Sequence, residues 1–411
     1  MRRIVLCAAV LAAVIGVFGG IGPSYAAAEY VLQVVGADGA VSRSVTWQDA
    51  EGRGDYRFTY RKRKDAQEIQ VPVTEQPRPP RYNADWQQAP YTYSAAMHDL
   101  EPETVYEFRI GSAAETKEWQ SFKTGKKKED TYKVIVMGDS QSVDYDVWGK
   151  TVQAAATNSN DAVFWIGMGD LTDNGQAWFQ WRAWLEGGRP LAHLPFAPVL
   201  GNHEAYSLDW SFAAPEIYTA LFPVPENGPK GQRKLAYSFD YGDVHYVSLN
   251  TDYEELREQN PTMLTDEAAW LDADLEEAVK RKQRLIILMH RSPWSTPYSG
   301  QVDTIGAAFL PVFDKYRVPL VLTAHEHCYA RSVPLRAGAE DKSGTVYITT
   351  GRSGSEGWRD ARKRSFDAVY YNPLDMPVYI ELEVRPDAYR IRACKLDGTV
   401  IDDAIVQARR D

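Results

Sequence analysis

Two hydrophobic patterns divide the chain. Between residues 29 and 125 the apolar and β-branched residues come in short runs, at 42–47, 56–60, 69–73, 91–97 and 105–110. Turn signals separate them, such as Glu51-Gly52-Arg53-Gly54 and the proline-rich stretch 77–80. Short runs of this kind predict strands of an all-β sandwich. After the lysine-rich stretch 125–130 the pattern changes. Continuous apolar runs at 132–137, 162–168, 196–200, 285–289 and 320–323 read as strands buried on both faces. Between them, 147–157, the Trp-rich 176–186 and 266–282 have helical character. The last of these has acids in its first turn, Leu271, Leu275, Ala278 and Val279 at helical spacing, and basic residues at its end. Residues 237–249 read as a hairpin turning near Gly242-Asp243, and 345–350 and 378–384 add β structure. Strands alternating with helices predict an α/β domain over 131–411, preceded by the β-sandwich at 29–125. No internal repeat or low-complexity tract interrupts either part.

The first residues have a different character. Arg2 and Arg3 precede an apolar run at 4–21, and Ser24-Tyr25-Ala26 offers a small-x-small cleavage site, with Ala26-Ala27-Ala28 as a shifted option. This is the pattern of an export signal over residues 1–26, and it predicts a secreted or extracytoplasmic chain. The rival reading is an anchor that is kept; the glycines at 16, 19 and 20 and the small residues that follow favour cleavage. No other run approaches the roughly 20 apolar residues that span a bilayer. Beyond the leader only Cys328 and Cys394 remain, so one disulfide is conceivable and a disulfide framework is not.

Composition adds an exclusion. The 411 residues carry a net charge of −10, with 44% hydrophobic and 25% charged residues. A nucleic-acid partner calls for a basic surface, which this balance does not supply.

The chemistry-bearing residues follow the buried strands. Asp139 follows the run ending at Met137, and Asp170 the run ending at Met168. Asn202 and His203 follow 196–200, His290 follows 285–289, and His325 and His327 follow 320–323. In α/β sheets the strand ends converge on one edge, where ligands bind. Carboxylates, an amide and imidazoles gathered there suit a pair of metal ions, and one carboxylate can bridge the two. Each piece alone is weak, since a Gly-Asp after a strand is usually a turn. The ordered set carries the signal.

In order, the pieces are Gly138-Asp139, Gly169-Asp170-Leu171-Thr172-Asp173, Gly201-Asn202-His203-Glu204, Met289-His290-Arg291 and Ala324-His325-Glu326-His327. This set resembles the calcineurin-like metallophosphoesterases. With the stretch from Tyr237 to Tyr246 and the preceding sandwich, it is most similar to the purple acid phosphatase branch. The segment 100–109 of the sandwich is similar to fibronectin type III-like modules. The resemblance implies an α/β sandwich of two β-sheets flanked by helices. It implies Asp139 and His327 on a first metal, Asn202, His290 and His325 on a second, and Asp170 bridging them. It also implies His203 beside the phosphoryl group as the catalytic imidazole, and a metal-held hydroxide as nucleophile. The implied cofactors are two metal ions, divalent manganese, zinc or iron among them, and the implied partner is a phosphate-ester substrate.

The sequence departs from that pattern near the first metal. Many superfamily members have Asp-x-His in the first motif, and purple acid phosphatases place a tyrosine ligand in the second. Here those positions hold Gln141 and Asp173, each a possible ligand or a support behind the ligands. The expected activity is phosphomonoester hydrolysis. A phosphodiesterase or nucleotide hydrolase with the same ligands, or a cell-surface binding protein with a decayed site, are the alternatives. His98, His193 and His245 read as structural or exposed. Trp294 and Tyr298 are candidates for a substrate mouth or for core, and Arg291 and Arg352 for phosphate contacts, with surface placement the default for both arginines.

Overall fold

The computed structural model describes residues 28–52, 54–82, 87–112, 116–128, 131–294 and 302–408. The proposed leader, Tyr298 and the end of the lysine-rich stretch lie outside the described residues. No helix among the described residues is long and apolar enough to cross a membrane.

The predicted buried runs form the centres of two mixed sheets. In the first, Tyr132–Met137, Ala162–Gly167 and Phe196–Pro198 run parallel side by side. Val378–Val384, Ala388–Lys395 and Val400–Gln407 extend them by antiparallel pairing on one side. In the second, Val244–Leu249, Arg284–Met289, Leu320–Thr323 and Val346–Thr350 are parallel, with Tyr237–Tyr241, Tyr329–Ser332 and Asp367–Tyr371 completing a seven-stranded sheet. The helices Tyr145–Asn158 and Trp178–Gly187 pack together, the former against Val378–Val384. Met263–Lys280 and Thr304–Lys315 pack together, the former against Arg284–Met289. Asp144 and Asp303 cap two of these helices by accepting from Asp146 N and Gly306 N. The facing sheets share one continuous core that includes Val134, Phe164, Trp165, Tyr246, Ile286 and Leu322.

The N-terminal part is an all-β sandwich with its own core around Trp47, Phe58, Tyr93 and Phe108. Its Arg57–Lys62 and Val105–Gly111 strands belong to a separate four-stranded sheet. The other sheet is not separate. Glu29–Val35 pairs with Arg43–Asp49 inside the sandwich and, through Val34 and Phe196, with the edge of the first α/β sheet. A ten-stranded sheet therefore runs through both parts. Asp240 N donates to Ala37 O at 2.9 Å, and Gly39 N donates back to Asp240 O at 2.9 Å. Gly125 N then donates to Gly39 O at 2.9 Å, so the chain is tied to this junction at the start of the lysine-rich stretch. Cys328 and Cys394 are both buried and free; the conceivable disulfide is not formed.

Candidate metal centre

Register brings the motif-bearing turns together. Met137, Gly167 and Pro198 lie in one row across the parallel strands, and Asp139, Asp170 and Asn202 follow within a few residues of that row. In the facing sheet Leu288 lies beside Leu322, so His290 and the turn after Thr323 emerge at a common edge. Asp139, Asp170, His325 and His327 all take the left-handed backbone conformation, at φ of 48, 51, 70 and 52°. Side chains with a Cβ avoid that region, and such strain concentrates at functional sites. The turns also need bare glycine. A Cβ on Gly169 would lie 2.6 Å from His290 Nδ1, and one on Gly201 would lie 2.4 Å from Asp170 Oδ1.

Two groups of potential ligand atoms result. Asp170, His290 and His325 form one, and Asp139, Asp170 and His327 the other, with the atoms of each group within 4.8 Å of one another. Asp170 belongs to both. His290 Nε2 lies 3.0 Å from Asp170 Oδ2 and 3.2 Å from Asn202 Oδ1. The imidazoles are held from behind. His290 Nδ1 donates to Met168 O at 2.8 Å, His327 Nδ1 to Glu356 O at 3.0 Å, and His203 Nδ1 to Asp173 O at 2.7 Å. A backbone carbonyl on Nδ1 leaves Nε2 as the free face, the usual support for a metal-binding imidazole. His203 Nε2 lies 4.0 Å from Asp170 Oδ2.

Electrostatics point to a cation. Burial would raise the Asp170 carboxyl, but His290 and His203 hold it well below the usual carboxylate range. Burial, with Asp170 adding repulsion, pushes Asp139 up to about 8. Burial alone would lower His290, yet Asp170 lifts it to about 10. Protons thus neutralise the cluster where metal ions would otherwise do so. Burial lowers His327 to about 4 and His325 well below the ordinary imidazole range, so both are neutral donors. Asp139 Oδ2, Gln141 Oε1 and His325 Nδ1 are buried with no hydrogen-bond partner. Orphaned polar atoms of this kind are costly unless a ligand satisfies them. The residues present therefore fit metal ions.

Other expectations sort by geometry. Gln141 lies inside the cluster, with Nε2 3.4 Å from Asp170 Oδ2 and 3.2 Å from His327 Nε2. Asp173 faces His203, its Oδ1 3.6 Å from Nδ1. Arg291 does not offer its guanidinium to a phosphate, because it is spent on Glu255, with Nη1 2.9 Å from Oε2. Arg352 is likewise buried on backbone carbonyls, Nε donating to Pro373 O at 2.8 Å. Trp294 is core, packed against Tyr347 and Phe366. His98 and His193 are exposed, and His245 is buried between Asp240 and Asp274. Glu204, quoted only as a motif letter, has a clear positioning role. Its carboxylate accepts from Asp170 N at 3.0 Å, Leu171 N at 2.8 Å and Gly201 N at 2.9 Å, clamping two motifs together.

A two-sheet α/β sandwich with carboxylate, amide and imidazole donors at its strand ends is the arrangement that resemblance to the metallophosphoesterases implies. Comparison with known families agrees: the profile of calcineurin-like phosphoesterases matches residues 132–329, and that of the purple acid phosphatase N-terminal domain matches residues 30–124. By these matches the chain resembles the calcineurin-like phosphoesterases, in the arrangement that carries the purple acid phosphatase N-terminal domain. Among its relatives are phosphoenolpyruvate phosphatase of Allium cepa, 25% identical over 65% of this chain and 58% of that one. Purple acid phosphatase 18 of Arabidopsis thaliana is 27% identical over 46% of this chain and 42% of its own length. An uncharacterized protein of Mycobacterium tuberculosis is 31% identical over 38% of this chain and 31% of that one, so the match spans about a third of that relative. The fold is shared with the purple acid phosphatase PPD1 of yellow lupin, at a TM-score of 0.78 and 18% identity over 93% of this chain and 74% of that one. It is shared with PhoD at a TM-score of 0.64 and 14% identity, over 94% and 90% of the two chains.

Proposed function

We propose that this chain hydrolyses phosphate monoesters at a two-metal centre. Asp139, Asp170 and His327, with Gln141, hold one ion; Asp170, Asn202, His290 and His325 hold the other. The observation that carries this reading is the membership of Asp170 in both groups of ligand atoms, in a cluster where Asp139 Oδ2, Gln141 Oε1 and His325 Nδ1 are buried without hydrogen-bond partners. Bound divalent ions such as manganese, zinc or iron would supply Lewis acidity, lowering the pKa of water and neutralising phosphoryl oxygens. The chain's own contribution is positioning. Glu204 fixes the Asp170 turn against the Asn202 turn. His203, held at Nδ1 by Asp173 O, presents Nε2 to the substrate side, where it protonates the leaving oxygen or bonds a phosphoryl oxygen. The leader pattern at 1–26 supports action outside the cytoplasm, with the sandwich at 29–125 and the catalytic part at 131–411.

The test is an assay of chelated protein against a monoester, a diester and a nucleotide, with manganese, zinc or iron added back. The expected result is loss of monoester hydrolysis on chelation and its recovery with metal, exceeding diester hydrolysis. Folded, metal-loaded protein that hydrolyses none of them would overturn the reading and favour a binding role.

A further inference from the structure

Beside His203 the chain spends apolar surface in an unusual way. Trp210 is 57% exposed and Phe212 50% exposed, in a short turn directly after the Asn202–His203 motif. The ring of Trp210 stands edge-on to His203, with centroids 5.9 Å apart at 85°. Tyr206 fills the angle behind, 5.1 Å from His203 and 5.6 Å from Trp210, and stacks on Phe212 at 5.0 Å. Trp210 has a φ of 61°, the left-handed region that a residue with a bulky side chain adopts only under constraint. The constraint is visible. Trp210 N donates to Ser207 O at 2.8 Å and Ser207 N to Ser211 O at 3.1 Å. Asp209 Oδ1 accepts from Ser211 N at 3.1 Å and Ser211 Oγ at 2.6 Å. Tyr206 is pinned from outside the turn, its hydroxyl donating to Glu255 Oε1 at 3.1 Å. A closed turn thus holds a strained, solvent-facing indole against the imidazole that faces Asp170. Across the cluster, the half-buried Trp358 stands edge-on to His325 at 6.2 Å.

Resting on the function proposed above, we infer that Trp210 is the leaving-group platform of the site and that the favoured substrates are aryl phosphate monoesters. The argument is one of sides. Of the two roles given to His203, protonation of the leaving oxygen is the one that applies here, and an imidazole in that role lies on the side from which that oxygen departs. Whatever is bonded to the oxygen then lies next to that imidazole, where Trp210 is. A flat aromatic ring joined directly to the ester oxygen reaches the indole and packs on it by stacking or edge contact. An alkyl leaving group such as glycerol offers no such face. Core packing does not account for the residue, since more than half of its surface faces solvent.

The experiment compares kcat/KM of the metal-loaded full chain for phenyl phosphate and glycerol 2-phosphate, in the wild type, Trp210→Ala and Trp210→Phe, with thermal melts alongside. Each variant is read against the wild type on the same ester, which cancels the intrinsic reactivity of the two esters. Trp210→Ala is expected to lower the phenyl phosphate value about ten-fold, the size of a lost aromatic contact, and the glycerol value less than about two-fold. Trp210→Phe should recover most of the loss. Equal falls on both esters, or no change on either, would overturn the platform while leaving the phosphatase reading standing. A wild type that hydrolyses neither ester would overturn that reading, and the platform with it.

Discussion

Gln141 Nε2 lies 3.2 Å from His327 Nε2, while the other end of the amide, Oε1, is buried with no partner. His327 Nδ1 donates to Glu356 O, so its Nε2 can accept, and the glutamine amide donates to it. Turning the amide over gives up its hydrogen bonds to His327 Nε2 and Asp170 Oδ2 and points Oε1 at the space between those two residues. The residue is therefore placed to give a neutral oxygen to an ion held there. An imidazole at the same position would be a stronger donor. Gln141→His is expected to tighten that metal about ten-fold, read as metal retained in competition with a chelator. Unchanged or weaker retention would show that residue 141 does not face the ion.

Much of this was legible because the buried strands carry long apolar runs. The run at 285–289 is fully buried as Arg284–Met289, and the periodic helix at 266–282 appears as Met263–Lys280. The metal motifs were legible because each follows such a run. Other features were not. The helix Thr304–Lys315 contains Pro311, which ordinarily argues against a helix interior, yet it begins with a sound Asp303 cap. The C-terminal strands Ala388–Lys395 and Val400–Gln407 have mixed burial, and their charged faces hid them. The joining of the sandwich to the catalytic sheet through Val34 and Phe196 is a long-range pairing that no local pattern encodes. Trp210 was missed for a related reason, since nothing local marks a left-handed tryptophan.

The proposed function gives His203 and His325 different roles, and substitution should separate them. His325 Nδ1 is orphaned inside the cluster, whereas His203 Nδ1 is satisfied by Asp173 O. Asp170→Asn and His325→Ala should lower metal content and reduce turnover at least about a hundred-fold, as loss of a ligand does. His203→Ala should keep its metal and lose about a hundred-fold in kcat, within the usual range for a lost acid–base group. Metal analysis by mass spectrometry decides; release of metal by His203→Ala as complete as by His325→Ala would contradict the division.

His245 makes a pH-dependent contribution near the junction of the two parts. Its Nδ1 lies 2.6 Å from Asp240 and its Nε2 2.8 Å from Asp274, and Arg281 is 3.9 Å from Asp240. Burial alone would lower the imidazole, but the two carboxylates raise it to about 9. A folded-state value above the unfolded one stabilises fully below the unfolded pKa, roughly 6.5, and the effect fades as pH rises through about 9. The contribution is on the order of 2–3 kcal/mol. His245→Gln should therefore melt well below the wild type at pH 6, with the gap narrowing at pH 10. A gap that stays constant over that range would mean a neutral imidazole.

The last expectation concerns colour. Resemblance to purple acid phosphatases implies a tyrosinate on ferric iron at the position Asp173 occupies. The Asp173 carboxylate stands beside His203, 3.6 Å from Nδ1, and is absent from both groups of ligand atoms. The Tyr206 hydroxyl is committed to Glu255. With no phenolate supplied from these positions, the site offers carboxylate, amide and imidazole donors, which suit manganese or zinc as well as iron. The purified protein should be colourless, including after loading with iron, and divalent metal alone should restore activity to chelated enzyme. Asp173→Tyr should bring a phenolate to the edge of the cluster and, with ferric iron, produce a visible charge-transfer band. A band of that kind in the wild type would point instead to Tyr145, whose hydroxyl is buried without a hydrogen-bond partner.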